Sequence, residues 1–107
     1  MWFKVIHVPV LKVDGMALFP FILVRKAEHK TDPHLIRHEK IHLVQQLELL
    51  VVPFYILYLL HYTVNLVRYR GHDRAYREIV FEKEAYAMDG RPDYLKSRRL
   101  WAWIKFL

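Results

Sequence analysis

His38, Glu39 and His42 fall in "RHEKIHLVQQLELL", residues 37–50, in the order His-Glu-x-x-His. On a helix, residues four apart stand one above the other about 6 Å apart, so two imidazoles can converge on one ion. Glu39 is turned about 100° from His38, which aims its carboxylate at a water beside the ion rather than at the ion itself. That is the chemistry of hydrolysis: the ion acidifies the water and the carboxylate takes its proton. Shuffled chains with this many His and Glu show the spacing about 2–3% of the time. The pair of histidines therefore needs a third ligand before it means anything.

The chain has no Cys, so that ligand must be His, Asp or Glu. "FEKEAYA", residues 81–87, offers two candidates. Glu82 has Ala85 a turn away, small enough to let its helix approach the histidine helix closely. Glu84 has Val80, Phe81, Ala87 and Met88 around it, and a carboxylate buried among them needs a partner. His34, one turn before His38, could extend the site or line its mouth. His7, His29, His61 and His72 have no partner by spacing and read as solvated or hydrogen-bonded structural residues.

His38-Glu39-Lys40-Ile41-His42 followed by Glu82-Lys83-Glu84-Ala85 resembles the gluzincin pattern, with Glu-x-x-Ala-Asp on a later helix. The nearest likeness is to CAAX prenyl protease and HtpX-type metallopeptidases. The runs "HEKIHLVQQLELLVVPFYILY" and "AYREIVFEKEAYA" also resemble a group of short bacterial proteins over nearly the whole chain. The resemblance implies a zinc peptidase with one Zn2+ per chain, held by His38, His42 and Glu82, with Glu39 as general base. It favours Glu82 over Glu84. Where those families carry the Asp that supports a ligand histidine, this chain has Tyr86, so Glu84 or Gln46 could take the supporting role instead. A structural ion would need a fourth protein ligand, from His34 or Glu84. Tyr86, His34 and Arg37 are the candidates for stabilising an oxyanion.

The elements that must position these groups suggest an α+β domain over residues 1–107: a β-hairpin, then a zincin-like core of three to four helices. Residues 2–8 and 16–25 read as the two strands, around Asp14-Gly15. Pro20 cannot donate to a ladder and makes the second strand bulged or peripheral. That strand could hold an extended peptide by edge pairing. Asp32 and Pro33 open the histidine helix as N-cap and first residue. Ile41, Val44, Leu47 and Val51 have the spacing of its buried face. Pro53 marks a kink or break, a second apolar helix runs to about Arg70, and Asp73 caps a third that Gly90 and Pro92 end. "DYLKSRRLWAWIKFL" reads as a short last helix.

Residues 49–67 have about the length needed to span a bilayer, at the cost of including His61 and Asn65. A single crossing would leave His38 and His42 about 30 Å from Glu82, so a crossing and a three-ligand site exclude each other. The expectation is a helix broken at Pro53, packed on the histidine helix and partly buried in the core. The formal charge of +6 and the 54% hydrophobic content suit an acidic membrane surface or an oligomer. Arg98, Arg99 and Lys105 beside Trp101, Trp103 and Phe106 suit the same surface, or a helix docked on the core. Nucleic acid is disfavoured, because the basic residues form no recognised motif. "MWFKVIHVPVLKVDG" does not read as a secretory signal, so the expectation is the cytoplasm or the cytoplasmic face of a membrane. The alternative function is a zinc-binding or membrane-associated interaction module without catalysis.

Overall fold

The structure, a computed structural model, describes residues 2–107. It is α+β, with a small N-terminal sheet followed by helices. The strands are β1 (Lys4–His7), β2 (Gly15–Leu18) and β3 (Phe21–Val24), in the spatial order β1-β3-β2. A hairpin does form, but between Gly15 and Val24, turning at Pro20 rather than around Asp14-Gly15. Pro20 supplies no N–H to continue a ladder, so the stretch folds on itself there, with Leu18 opposite Phe21 and Gly15 opposite Val24. The first strand then pairs parallel to β3, Lys4 opposite Phe21. This topology makes β3 central, with Ile22 and Val24 fully buried, and leaves β2 at an edge.

Asp32 caps α1 (Pro33–Glu48) as expected, its carboxylate accepting from the N–H groups of His34 and Leu35. The buried face of α1 differs from the expected one. Ile41 is buried, but Leu47 is 47% exposed, and the inward stripe holds His38, Glu39, His42, Leu43, Gln45 and Gln46. A polar stripe can face inward when each of its groups finds a partner there, and apolar spacing alone cannot register that.

The break expected at Pro53 lies just before it. Leu50 and Val51 take positive φ values of 61° and 68°, and Pro53 sits in the first turn of α2 (Val52–Tyr69), where its missing N–H is harmless. The two helices are bent by 113°. Among the described residues no single helix is long and apolar enough to cross a membrane. The expected third helix divides at Glu78 and Ile79 into α3 (His72–Arg77) and α4 (Val80–Met88). Asp73 lies inside the first turn of α3, and Gly71 holds the cap position. The α4 helix gets its start from a distant side chain, as the Val80 N–H donates to Nδ1 of His61 on α2. It ends just before Gly90, near the expected place. The tail is two pieces rather than one helix: a single turn, α5 (Tyr94–Ser97), and a 3-10 turn over Ala102–Phe106.

Two apolar clusters form. Phe3, Ala17, Ile22, Val24 and Leu43 join the sheet to α1. Phe54, Ile79, Val80 and Phe81 join α2 to α4, with Trp103 and Phe106 of the tail packed against them. The polar stripe of α1 runs along the seam: Leu43 belongs to the first cluster, and the ring of His42 lies 6.3 Å from that of Phe54 in the second.

Candidate metal centre

The α1 and α4 helices bring His38, His42 and Glu82 together, each less than 7% exposed. Their donor atoms lie within 4.8 Å of one another. Nε2 of His38 and Nε2 of His42 are each 3.0 Å from the same oxygen, Oε1 of Glu82. Glu82, not Glu84, is thus the carboxylate that meets the histidines, as the resemblance implied.

The far side of each imidazole decides what this convergence requires. Nδ1 of His38 is 2.9 Å from Oδ2 of Asp89. Nδ1 of His42 is 2.8 Å from Oε1 of Gln45, and that amide orientation is fixed because Gln45 Nε2 donates to the Phe81 carbonyl and to Glu84. Both Nδ1 atoms face acceptors and therefore carry hydrogen. In neutral imidazoles both Nε2 lone pairs would then point at a carboxylate oxygen, with no proton between acceptor and acceptor. Those atoms need a proton or a metal ion among them. The donor set fits a metal ion, and its outer hydrogen bonds hold each ring in the ligating tautomer.

Without a metal, a proton fills that need. Burial opposes charge on His42, but the Glu82 carboxylate outweighs it and raises the imidazole to about 9. Burial likewise opposes charge on Glu82, and the charges and hydrogen bonds of His42 and His38 outweigh it, holding the carboxyl well below the usual range. Tyr58, from α2, donates to the second carboxylate oxygen at 2.5 Å and so fixes which oxygen faces the histidines. Burial, then the neighbouring Glu82 charge, pushes the Tyr58 phenol far up, so it stays a donor.

Glu39 has a different setting. It is 6% exposed, and among the described residues no group donates a hydrogen bond to its carboxylate. Burial raises its pKa, against the opposing pull of His42 and His38. It sits where two cavities meet. One, of about 310 Å³, is walled by Met16 and Leu18 of β2 and by Phe54, Tyr55 and Tyr58 of α2, with His42 and Glu82 on its floor. The other is wider and polar, and reaches Lys12, Arg25, His34 and Asp89. Gly15 makes the junction possible: a Cβ there would lie 3.1 Å from Oε2 of Glu39 and equally close to Leu35.

The remaining candidates are occupied elsewhere. Glu84 is gripped by Arg98, Tyr94 and Gln45, and Arg98 also clasps Glu48, so this buried network staples the tail to α1 and α4. Gln46 supports no ligand; it accepts from the Phe19 N–H and donates to the Ala17 carbonyl, locking the β2 edge onto α1. His34 joins no ligand set, and its Nε2 lies 2.6 Å from Oδ1 of Asp89. Tyr86 packs its ring 4.6 Å from that of His38, and its hydroxyl points to Tyr76. Arg37 donates to the Asp89 carbonyl. Among the other histidines, His7, His61 and His72 each make a hydrogen bond, while the buried Nδ1 of His29 makes none.

Sequence reasoning missed Asp89, Gln45 and Tyr58. Asp89 had a readable signal: it follows Glu82 by two helical turns and so shares its face. Gln45, one turn after His42, had a weaker one. Tyr58 had none, since only the 113° bend brings α2 over the site. No family model, curated protein or solved structure matches the chain.

Proposed function

We propose that this protein is a zinc-dependent hydrolase, most simply a peptidase, of the gluzincin kind. One observation carries the reading. Three buried donors converge as His2Glu, while an unbonded Glu39 faces the same cavity. The two residues able to complete a closed four-ligand site, His34 and Glu84, are held by Asp89 and Arg98. Three protein ligands with an open position are the arrangement of catalytic rather than structural zinc. Zn2+ bound there would supply Lewis acidity, making a water a nucleophile near neutral pH and polarising a carbonyl.

The chain's own residues supply the rest. Glu39 takes the proton from the attacking water and passes it to the leaving amine; its raised pKa suits both halves of that task. Tyr58 and Asp89 hold Glu82 and His38 in place. Tyr76 borders both cavities beside Glu39 and is the phenol placed to donate to a developing oxyanion. The outer edge of β2 takes an extended peptide at Gly15: Gln46 already occupies the Ala17 C=O and Phe19 N–H, and by strand alternation the backbone groups of Gly15 also point away from β3. The apolar cavity beside Glu39 takes a large apolar side chain next to the scissile bond.

The test is zinc content of the purified chain, followed by turnover of a quenched peptide library. One zinc per chain is expected, lost in His38→Ala and Glu82→Gln and kept in Glu39→Gln. Glu39→Gln lowers turnover by about 10²–10⁴-fold. Zinc retained without turnover in the wild type would leave a binding module. No zinc after metal is added back would overturn the reading altogether.

A further inference from the structure

The α2 helix is built inside out. Its residues facing the protein are Phe54, Tyr55, Tyr58, His61, Tyr62 and Asn65, five of them with polar atoms bonded to neighbouring elements: Tyr55 to Ala17, Tyr58 to Glu82, His61 to Val80, Tyr62 to His72, and Asn65 to Ala75. The outward positions from Val52 to Val67 are all apolar except Thr63, whose hydroxyl folds back onto the Leu59 carbonyl. At 3.6 residues per turn those outward positions fill one unbroken arc of about 180°. Val67 is 76% exposed, Leu59 63% and Ile56 62%. A helix packed on a water-soluble core has the opposite distribution, with its apolar stripe inward. The expected partial burial of α2 holds for its inner face alone: Phe54 and Asn65 are buried, and Tyr55, Tyr58, His61 and Tyr62 are half-buried.

We propose that this face of α2 docks on an anionic membrane surface, the helix lying in the plane of the interface. Charge selects the occupant. The α2 helix carries no acidic residue, and exposed Arg68 and Arg70 stand at its C-terminal end. The chain is formally +6, which attracts anionic headgroups and repels a second copy of itself. A lipid boundary also accepts an apolar arc whose backbone is already bonded within a helix. The inner face of α2 is committed to α3 and α4, so only its outer half meets lipid. A crossing is excluded by that commitment and by the shared Glu82 contact of both histidines. The proposal is independent of the metal reading, because no residue of the arc touches the site.

The test is co-sedimentation of the full chain with two kinds of vesicle: phosphatidylcholine alone, and equal parts phosphatidylcholine and phosphatidylglycerol. The wild type is expected to bind the mixed vesicles more tightly, and less so at high salt. Leu60→Glu lowers that affinity by more than about tenfold. Arg68→Gln and Arg70→Gln each lower it by about fivefold, on the mixed vesicles only. Thr63→Glu, at the one polar outward position, gives a second reading should Leu60→Glu misfold, which circular dichroism reports. Wild type left in the supernatant with both vesicles overturns the proposal, as does unchanged binding by folded Leu60→Glu or Thr63→Glu. A dimer in solution that Leu60→Glu dissociates, without vesicle binding, assigns the face to a second copy instead.

Discussion

Asp89 separates what the resemblance implies from what the geometry shows. The resemblance puts the group that supports a ligand histidine at position 86, whereas the structure puts it at 89, with Oδ2 at 2.9 Å from Nδ1 of His38. Both residues are less than 10% exposed, so that bond is largely screened from water. A hydrogen bond to a charged group contributes about 1.5–3 kcal/mol and a neutral one about 0.5–1.5. Asp89→Asn keeps an acceptor and loses only the charge, which weakens metal affinity by about five- to tenfold. Asp89→Ala removes the acceptor and leaves Nδ1–H buried and unpaired, for a loss of about 10–100-fold. Tyr86→Phe changes affinity less than about twofold, because its hydroxyl, 3.4 Å from that of Tyr76, holds no ligand. Competition for Zn2+ against a chromophoric chelator, with circular dichroism to confirm folding, measures all three. Unchanged affinity in Asp89→Ala, or a loss in Tyr86→Phe as large as in Asp89→Ala, would refute the assignment.

Glu84→Gln removes one of the two carboxylates that hold Arg98, Glu48 remaining, and costs about 1.5–3 kcal/mol of stability, yet leaves zinc stoichiometry unchanged at low temperature; chemical denaturation beside elemental analysis checks both. Gly15→Ala forces Glu39 or Leu35 to move, since the new Cβ would lie 3.1 Å from each. It is therefore expected to keep the metal and lower kcat, which steady-state kinetics reads. His61 supplies the pH prediction. Burial, then Lys83, lowers its pKa below the usual value, so the folded state binds fewer protons than the unfolded one just below that value. Stability accordingly falls as the pH drops through the ordinary histidine range toward the lowered pKa. Urea titrations of the wild type between neutral and mildly acidic pH should show that slope, and His61→Gln should flatten it.

The local signals in the chain were legible where a residue acts through its own backbone or along one helix. Asp32 and Pro33 started α1 as read, because capping is decided within four residues. The i, i+4 spacing of His38 and His42 set their convergence for the same reason. Pro20 and Pro53 both marked real discontinuities, since a missing N–H is a property of the residue itself. What each discontinuity led to was not local. Whether Pro20 bulges a strand or splits it into a hairpin depends on β1 reaching the far edge of β3. Whether the chain turns back after α1 depends on Leu50 and Val51 accepting positive φ, a conformation that neither residue type announces. That single bend set Tyr58 over Glu82 and turned the apolar half of α2 outward. Spacing alone left Glu82 and Glu84 both open, and only the resemblance favoured Glu82; Arg98, fourteen residues beyond Glu84, claimed one and left the other to the histidines. Sequence alone determined which groups could bind a metal and where the helix holding two of them begins. Tertiary structure decided the third ligand, the supports at Asp89 and Gln45, and the face α2 shows to its surroundings, because each depends on a partner brought near by folding.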